Sequence, residues 1–65
     1  MSYQQRKDAA VNDVSKYARQ YREVETAKYE ALRRNAKGRA KELNEKLRYI
    51  MRRYKDALNE VDRLN

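Results

Sequence analysis

The chain has 65 residues, with 17 Lys and Arg against 10 Asp and Glu, so its net charge at pH 7 is +7. It contains neither Cys nor His, which excludes disulfides and thiolate chemistry and removes the commonest general base and metal ligand. It also lacks a Gly-rich phosphate loop and any run approaching the roughly 18 apolar residues of a membrane span. We therefore expect a small non-enzymatic protein with no cofactor, no metal, no small-molecule substrate and no membrane insertion.

The composition predicts helix, although it lies close to that of disordered chains. Only ten residues are Leu, Ile or Val and there is no Phe, which with a high net charge is typical of disorder. However, the chain has no Pro and a single Gly, and residues with high helix propensity dominate it. The sequence therefore predicts an all-α protein with too small a core for a lone chain of this length.

The first apolar repeat has alternating spacings of four and three residues and predicts a helix over about residues 5–36. Its members are Ala10, Val14, Tyr17, Tyr21, Val24 and Ala31, interrupted by Lys28. A neighbouring column, mostly apolar, consists of Val11, Ala18, Glu25 and Leu32. Three apolar positions in seven are more than a two-stranded coiled coil needs, and this width is typical of a helical bundle.

A second, more regular repeat predicts another helix over about residues 40–64. Its members are Ala40, Leu43, Leu47, Ile50, Tyr54, Ala57, Val61 and Leu64, with Met51 and Leu58 in the adjacent column. The two repeats are out of phase, which predicts a turn near Gly38, because Gly readily adopts the left-handed conformation after a helix end. The alternative is one continuous helix in a coiled coil, with an eleven-residue repeat bridging the phase break.

The small core predicts self-association. We expect two hairpins to pair as a dimer and form an antiparallel four-helix bundle. The residues expected in the core of this oligomer are Val14, Tyr17, Tyr21, Val24, Leu32, Leu43, Leu47, Ile50, Tyr54, Leu58, Val61 and Leu64.

The positive charge is concentrated in the segment 28–55, which carries eleven Lys and Arg against three acidic residues. Helical spacing predicts that Lys41, Arg48, Arg52 and Lys55 share an outer face, and an unbroken helix would continue that line to Lys37 and Arg34. These bases are here called the basic stripe: Arg34, Lys37, Lys41, Arg48, Arg52 and Lys55. Like charges one turn apart repel each other, and Arg forms bidentate contacts with phosphate. The basic stripe therefore predicts electrostatic binding of nucleic acid, RNA or DNA, or of another anionic surface.

Two alternatives to nucleic-acid binding stay open. The basic stripe is also compatible with an ordinary solvated helix face. A competing function is that of a structural scaffold or adaptor, for example a virion or assembly component that binds another protein.

Among the aromatic residues, Tyr49 and Tyr29 lie off the core columns and are candidates for stacking on a base. Because the N-terminus lacks the apolar run of a signal peptide, we expect a cytoplasmic or virion-internal protein that is neither secreted nor transmembrane.

Overall fold

The computed structural model describes residues 2–65, which form two antiparallel helices, α1 over Tyr3–Arg33 and α2 over Lys37–Leu64. The two helices pack along their length into a hairpin that is 49 Å long and 15 Å by 14 Å in cross-section. The predicted all-α hairpin is thus confirmed. The continuous-helix alternative is wrong, since the chain reverses direction after Arg33.

The N-terminus of α1 is fixed by a capping box between Ser2 and Gln5. The Ser2 hydroxyl accepts a hydrogen bond from the Gln5 N–H (3.2 Å), and the Gln5 side-chain oxygen accepts one from the Ser2 N–H (3.1 Å). Reciprocal capping satisfies two backbone donors that the first turn of a helix leaves unpaired. As a consequence α1 begins at Tyr3, two residues before the predicted start.

The turn is formed by Arg34, Asn35 and Ala36, so its predicted position near Gly38 is wrong. Asn35 has the left-handed backbone conformation (φ 60°), which Asn tolerates better than most residues with a side chain. The Ala36 N–H donates to the carbonyl of Ala31 (2.8 Å) and the Asn35 N–H to that of Leu32 (3.1 Å), which is a Schellman motif. Gly38 lies in the first turn of α2 without a positive φ.

Tertiary packing, rather than local capping, fixes the start of α2. Its N-cap residue, Ala36, provides no side-chain hydrogen bond, and the first turn contains Lys37 and Arg39 but no acidic residue. Cations at this end oppose the helix dipole. The same segment carries the buried Ala40 and Leu43, which pack in one cluster with residues of α1. Burial of this apolar surface stabilises a helix start that the local sequence disfavours.

The core lies between the helices and consists of small side chains. Its buried members are Ala10, Val24, Ala31, Ala40, Leu43, Leu47, Ile50, Ala57 and Leu64. Four of these nine are Ala, and even the most buried, Ile50, remains 2% exposed. Since six of the nine belong to α2, the more regular second repeat provides most of the core.

The residues predicted for the oligomer core fall into three groups within the single hairpin. Buried between the two helices are Val24, Leu43, Leu47, Ile50 and Leu64. Half-buried along the edges of this interface are Val14, Tyr17, Tyr21, Tyr54 and Val61. Leu32 and Leu58 are 46% and 38% exposed, so neither belongs to the core of the single hairpin.

Candidate nucleic-acid interface

All six residues of the basic stripe are exposed. Within residues 2–65 none of the six has a carboxylate within 4 Å. The ion pairs found in this part of the chain join Arg6 to Glu60 (3.4 Å), Arg63 to Glu60 (2.9 Å) and Arg39 to Glu42 (3.7 Å). Across residues 2–65, therefore, no side chain of the basic stripe forms an ion pair.

A groove between the two helices gathers half of the basic stripe. It has a volume of about 500 Å³ and is lined by Tyr21, Glu25, Lys28, Asn44, Leu47, Arg48, Met51, Arg52 and Lys55. Arg48, Arg52 and Lys55 of the basic stripe thus lie beside Lys28 of α1. The lining of the groove includes one carboxylate, that of Glu25. We call this the basic groove.

Lys28 is the functional candidate that sequence reasoning missed. It occupies a core position of the first repeat, where an apolar residue is expected, and in the structure it is half-buried in the wall of the basic groove. Its ammonium group lies 5.9 Å from the centre of the Tyr29 ring, within the range of a cation–π interaction. The interruption of the apolar repeat at Lys28 was the sequence signal for this role, since a Lys in an apolar column places a charge beside the helix interface.

The structure separates Arg34 from the other members of the basic stripe. Arg34 ends α1 as its C-cap residue, and it lines a small pocket together with Glu30 and Arg39, away from the basic groove. The prediction that it extends the line of Lys37 and Lys41 required an unbroken helix. The reversal at Asn35 therefore leaves Lys37, Lys41, Arg48, Arg52 and Lys55 as the stripe of α2.

The opposite side of the hairpin carries mixed charge. A shallow groove there is lined by Asp13, Tyr17, Arg53, Asp56, Ala57 and Glu60. The pKa of Arg53 is raised, chiefly by the nearby Tyr17 side chain and then by that of Tyr49. Bases and carboxylates alternate here, and the side as a whole presents no uniform field.

Tyr49, a candidate for base stacking, is on this mixed-charge side. Its ring is 60% exposed, and it lines a groove with Gln20 and Lys46 rather than with Arg52. Tyr29, the other candidate, is 58% exposed and is adjacent in sequence to Lys28. Tyr29 is therefore the one closer to the basic groove.

No family model, curated protein or solved structure matches this chain. Neither helix, across the residues that the structure describes, combines the length and apolarity needed to cross a membrane. The charge and geometry of the hairpin are therefore the basis for a functional proposal.

Proposed function

We propose that this protein binds nucleic acid electrostatically through the basic stripe of α2 and acts as a homodimer, an antiparallel four-helix bundle. The observation that carries the proposal is the exposure of Lys37, Lys41, Arg48, Arg52 and Lys55 with no carboxylate of residues 2–65 in contact. Repulsion among these cations raises the free energy of the unbound helix. Phosphate groups relieve that repulsion and gain charge-assisted hydrogen bonds.

The geometry of α2 suits a polyanion better than a single anion. Lys41, Arg48 and Lys55 follow one another at intervals of seven residues, which is about 10 Å along a helix. A row of charges of this length meets several phosphates at once, and each neutralised phosphate releases condensed counterions. Contacts with the sugar–phosphate backbone of a nucleic acid carry no sequence information, so we expect little sequence preference.

Self-association is supported by the core of the hairpin. Four of its nine buried residues are Ala, and small side chains remove little apolar surface from water. At roughly 25 cal/mol per Å² of apolar area, burial of this kind is offset by an ordering cost of about 1.5 kcal/mol per residue. Exposed Val11, Leu32 and Leu58 provide further apolar surface that a second hairpin would cover.

The test of nucleic-acid binding is a titration against duplex DNA, duplex RNA and single-stranded RNA at two salt concentrations. If four stripe residues meet phosphates, the log–log slope of affinity against salt on duplex DNA is about −3 to −4 per chain. Replacing Arg48→Gln together with Arg52→Gln flattens that slope by roughly two. Circular dichroism should show unchanged helicity, because both side chains are exposed.

A matched control separates the basic stripe from net charge. Lys16→Gln with Arg19→Gln removes the same two charges from exposed positions of α1 outside the basic groove, and it should leave most of the slope intact. Equal losses in both double variants would mean that charge alone, without a surface, attracts the nucleic acid. Absence of binding to all three nucleic acids near 50 mM salt would refute the proposal and favour a protein-binding adaptor.

A further inference from the structure

The basic groove has an uncharged part as well as a charged one. Tyr21, Leu47 and Met51 are lining residues without charge, and Leu47 is buried while the other two are half-buried. These three side chains therefore form the deeper part of the groove. The basic side chains contributed by α2 are all exposed and form its rim: Arg48, Arg52 and Lys55.

The aromatic ring in the groove is held in place by the core. Tyr21 packs against the buried cluster between the helices and also lines the basic groove. Because this packing already restricts the side chain, little conformational freedom is lost when a flat ligand stacks on it. Tyr29 and Tyr49 are more exposed, and neither lines the basic groove.

The carboxylate of Glu25 limits where phosphates can bind in the groove. Along α1 this residue lies between Tyr21 and Lys28, four residues after the first and three before the second. It is half-buried, and across residues 2–65 no basic side chain lies within 4 Å of its carboxylate. A phosphate in the middle of the groove would be repelled by this charge. An uncharged group is therefore the better occupant there, with phosphates at the exposed rim.

We infer that the basic groove receives an unpaired nucleobase while the neighbouring phosphates contact the basic side chains at its rim, so that the preferred ligand is a single-stranded nucleic acid. The inference rests on the proposed nucleic-acid binding, which it deepens by naming the form of nucleic acid. It does not depend on self-association, because every residue that lines the groove belongs to one hairpin.

The size and chemistry of the basic groove suit this occupant. Its volume of about 500 Å³ lies within the range of roughly 300–1,000 Å³ that is typical of small-molecule sites. Proteins that bind single strands combine a positive groove along the backbone with aromatic side chains on which nucleobases stack. In a duplex the nucleobase is paired and stacked, and it must first be extruded at a cost in free energy. Stacking accepts any nucleobase, so the expectation of little sequence preference is unchanged.

The first test changes the ligand and leaves the protein as it is. Fluorescence anisotropy compares a labelled single-stranded oligonucleotide with an abasic strand of the same length, which carries the same phosphates but no nucleobases. Near 50 mM salt the abasic strand should bind at least about fivefold more weakly. Equal affinities would overturn the inference and leave the proposed function intact. Absence of binding to both strands and to duplex DNA would instead refute the proposed function.

A comparison with duplex DNA gives a second readout. The duplex has the higher density of phosphate charge, so a surface that contacts only the backbone should bind it more tightly than a single strand of the same length. Phosphate contacts weaken as salt rises, whereas stacking on a nucleobase involves no exchange of counterions. We therefore expect the single strand to be the tighter ligand near 200 mM salt. Tighter binding of the duplex at this salt concentration would overturn the inference.

Tyr21→Leu tests the ring itself. Leu keeps an apolar side chain against the core and favours helix, so circular dichroism should remain helical. Affinity for the single strand should fall at least about fivefold, with the affinity for the abasic strand and the salt slope unchanged. Tyr21→Phe keeps the ring and should retain the affinity of the wild type. An equal loss for the abasic strand would mean that Tyr21 acts only through the fold, and would overturn its assignment.

Tyr49→Leu is the matched control, because it removes an exposed ring from the opposite side of the hairpin. This variant should bind the single strand as tightly as the wild type does. A loss of affinity with Tyr49→Leu and none with Tyr21→Leu would place the nucleobase on the opposite side and overturn the inference.

Discussion

The two sides of the hairpin differ in how far their charged side chains are paired. On the side of the basic groove, Lys28, Arg48, Arg52 and Lys55 line one surface with Glu25 as the lining carboxylate. On the opposite side, Glu60 contacts both Arg6 and Arg63, and Asp13 and Asp56 lie near Arg53. The same helices therefore present one surface that is internally neutralised and one that is not. The unpaired positive charge is the reason for proposing the basic-groove side as the binding surface.

The largest effect that would sharpen this contrast is expected from Lys28→Leu. A Leu at this half-buried core position extends the apolar repeat of α1, and we expect it to raise the free energy of unfolding by about 1 kcal/mol. For a small domain this corresponds to a rise in Tm of about 4–8 °C. Nucleic-acid affinity should fall, with the salt slope flatter by about 0.9. Thermal denaturation and the salt titration measure the two effects.

Lys16→Leu is the control for this prediction, because Lys16 is exposed. It should change the free energy of unfolding by less than about 0.5 kcal/mol. If both variants were equally stabilised, added hydrophobicity rather than the position of Lys28 would be responsible. That result would contradict the assignment of Lys28 to a core position in the wall of the basic groove.

A smaller effect is expected from Glu25→Gln, which removes the carboxylate from the lining of the basic groove. The change adds one unit of positive charge where the polyanion is proposed to bind, so affinity near 50 mM salt should rise by about two- to fivefold, or roughly 0.5–1 kcal/mol. Asp13→Asn adds the same charge in the groove of the opposite side and should have little effect. Equal gains from both changes would remove the distinction between the sides.

The smallest effect is expected from the ion pair on the neutralised side. Arg6→Gln and Glu60→Gln, separately and combined, complete a double-mutant cycle, and we expect a coupling energy below about 0.5 kcal/mol by chemical denaturation. The Arg6 side chain is 54% exposed and the Glu60 side chain 32%, so solvent screens much of their attraction. A coupling energy of several kcal/mol would mean that this side contributes to the fold rather than only balancing its charge.

Much of the fold follows from local patterns. The two apolar repeats predict two helices that pair along their length, because helical spacing places every third and fourth residue on one face. The start of α1 was also readable, since Ser2 and Gln5 have the spacing of a capping box, although the prediction overlooked it. The self-associated bundle and the role of the basic stripe stay predictions.

The position of the turn was not determined by local preference. Gly38 has the higher intrinsic preference for the left-handed conformation, yet Asn35 adopts it. The reason is tertiary, because ending α1 at Arg33 allows Ala36 to pack against the core cluster and to bond to Ala31. The turn therefore falls where both apolar repeats can meet, and Gly38 is left inside α2.

By itself the sequence determined that the chain is helical, that it forms two amphipathic segments and that its positive charge is concentrated in the segment 28–55. Only the tertiary structure decided which charges share a surface: it moved Arg34 away from the basic groove, brought Lys28 into it and placed Tyr49 on the opposite side. The physical reason is that periodicity fixes the face of a helix on which a residue lies, whereas neighbours on another helix depend on where the chain turns and on the register in which the two helices pack.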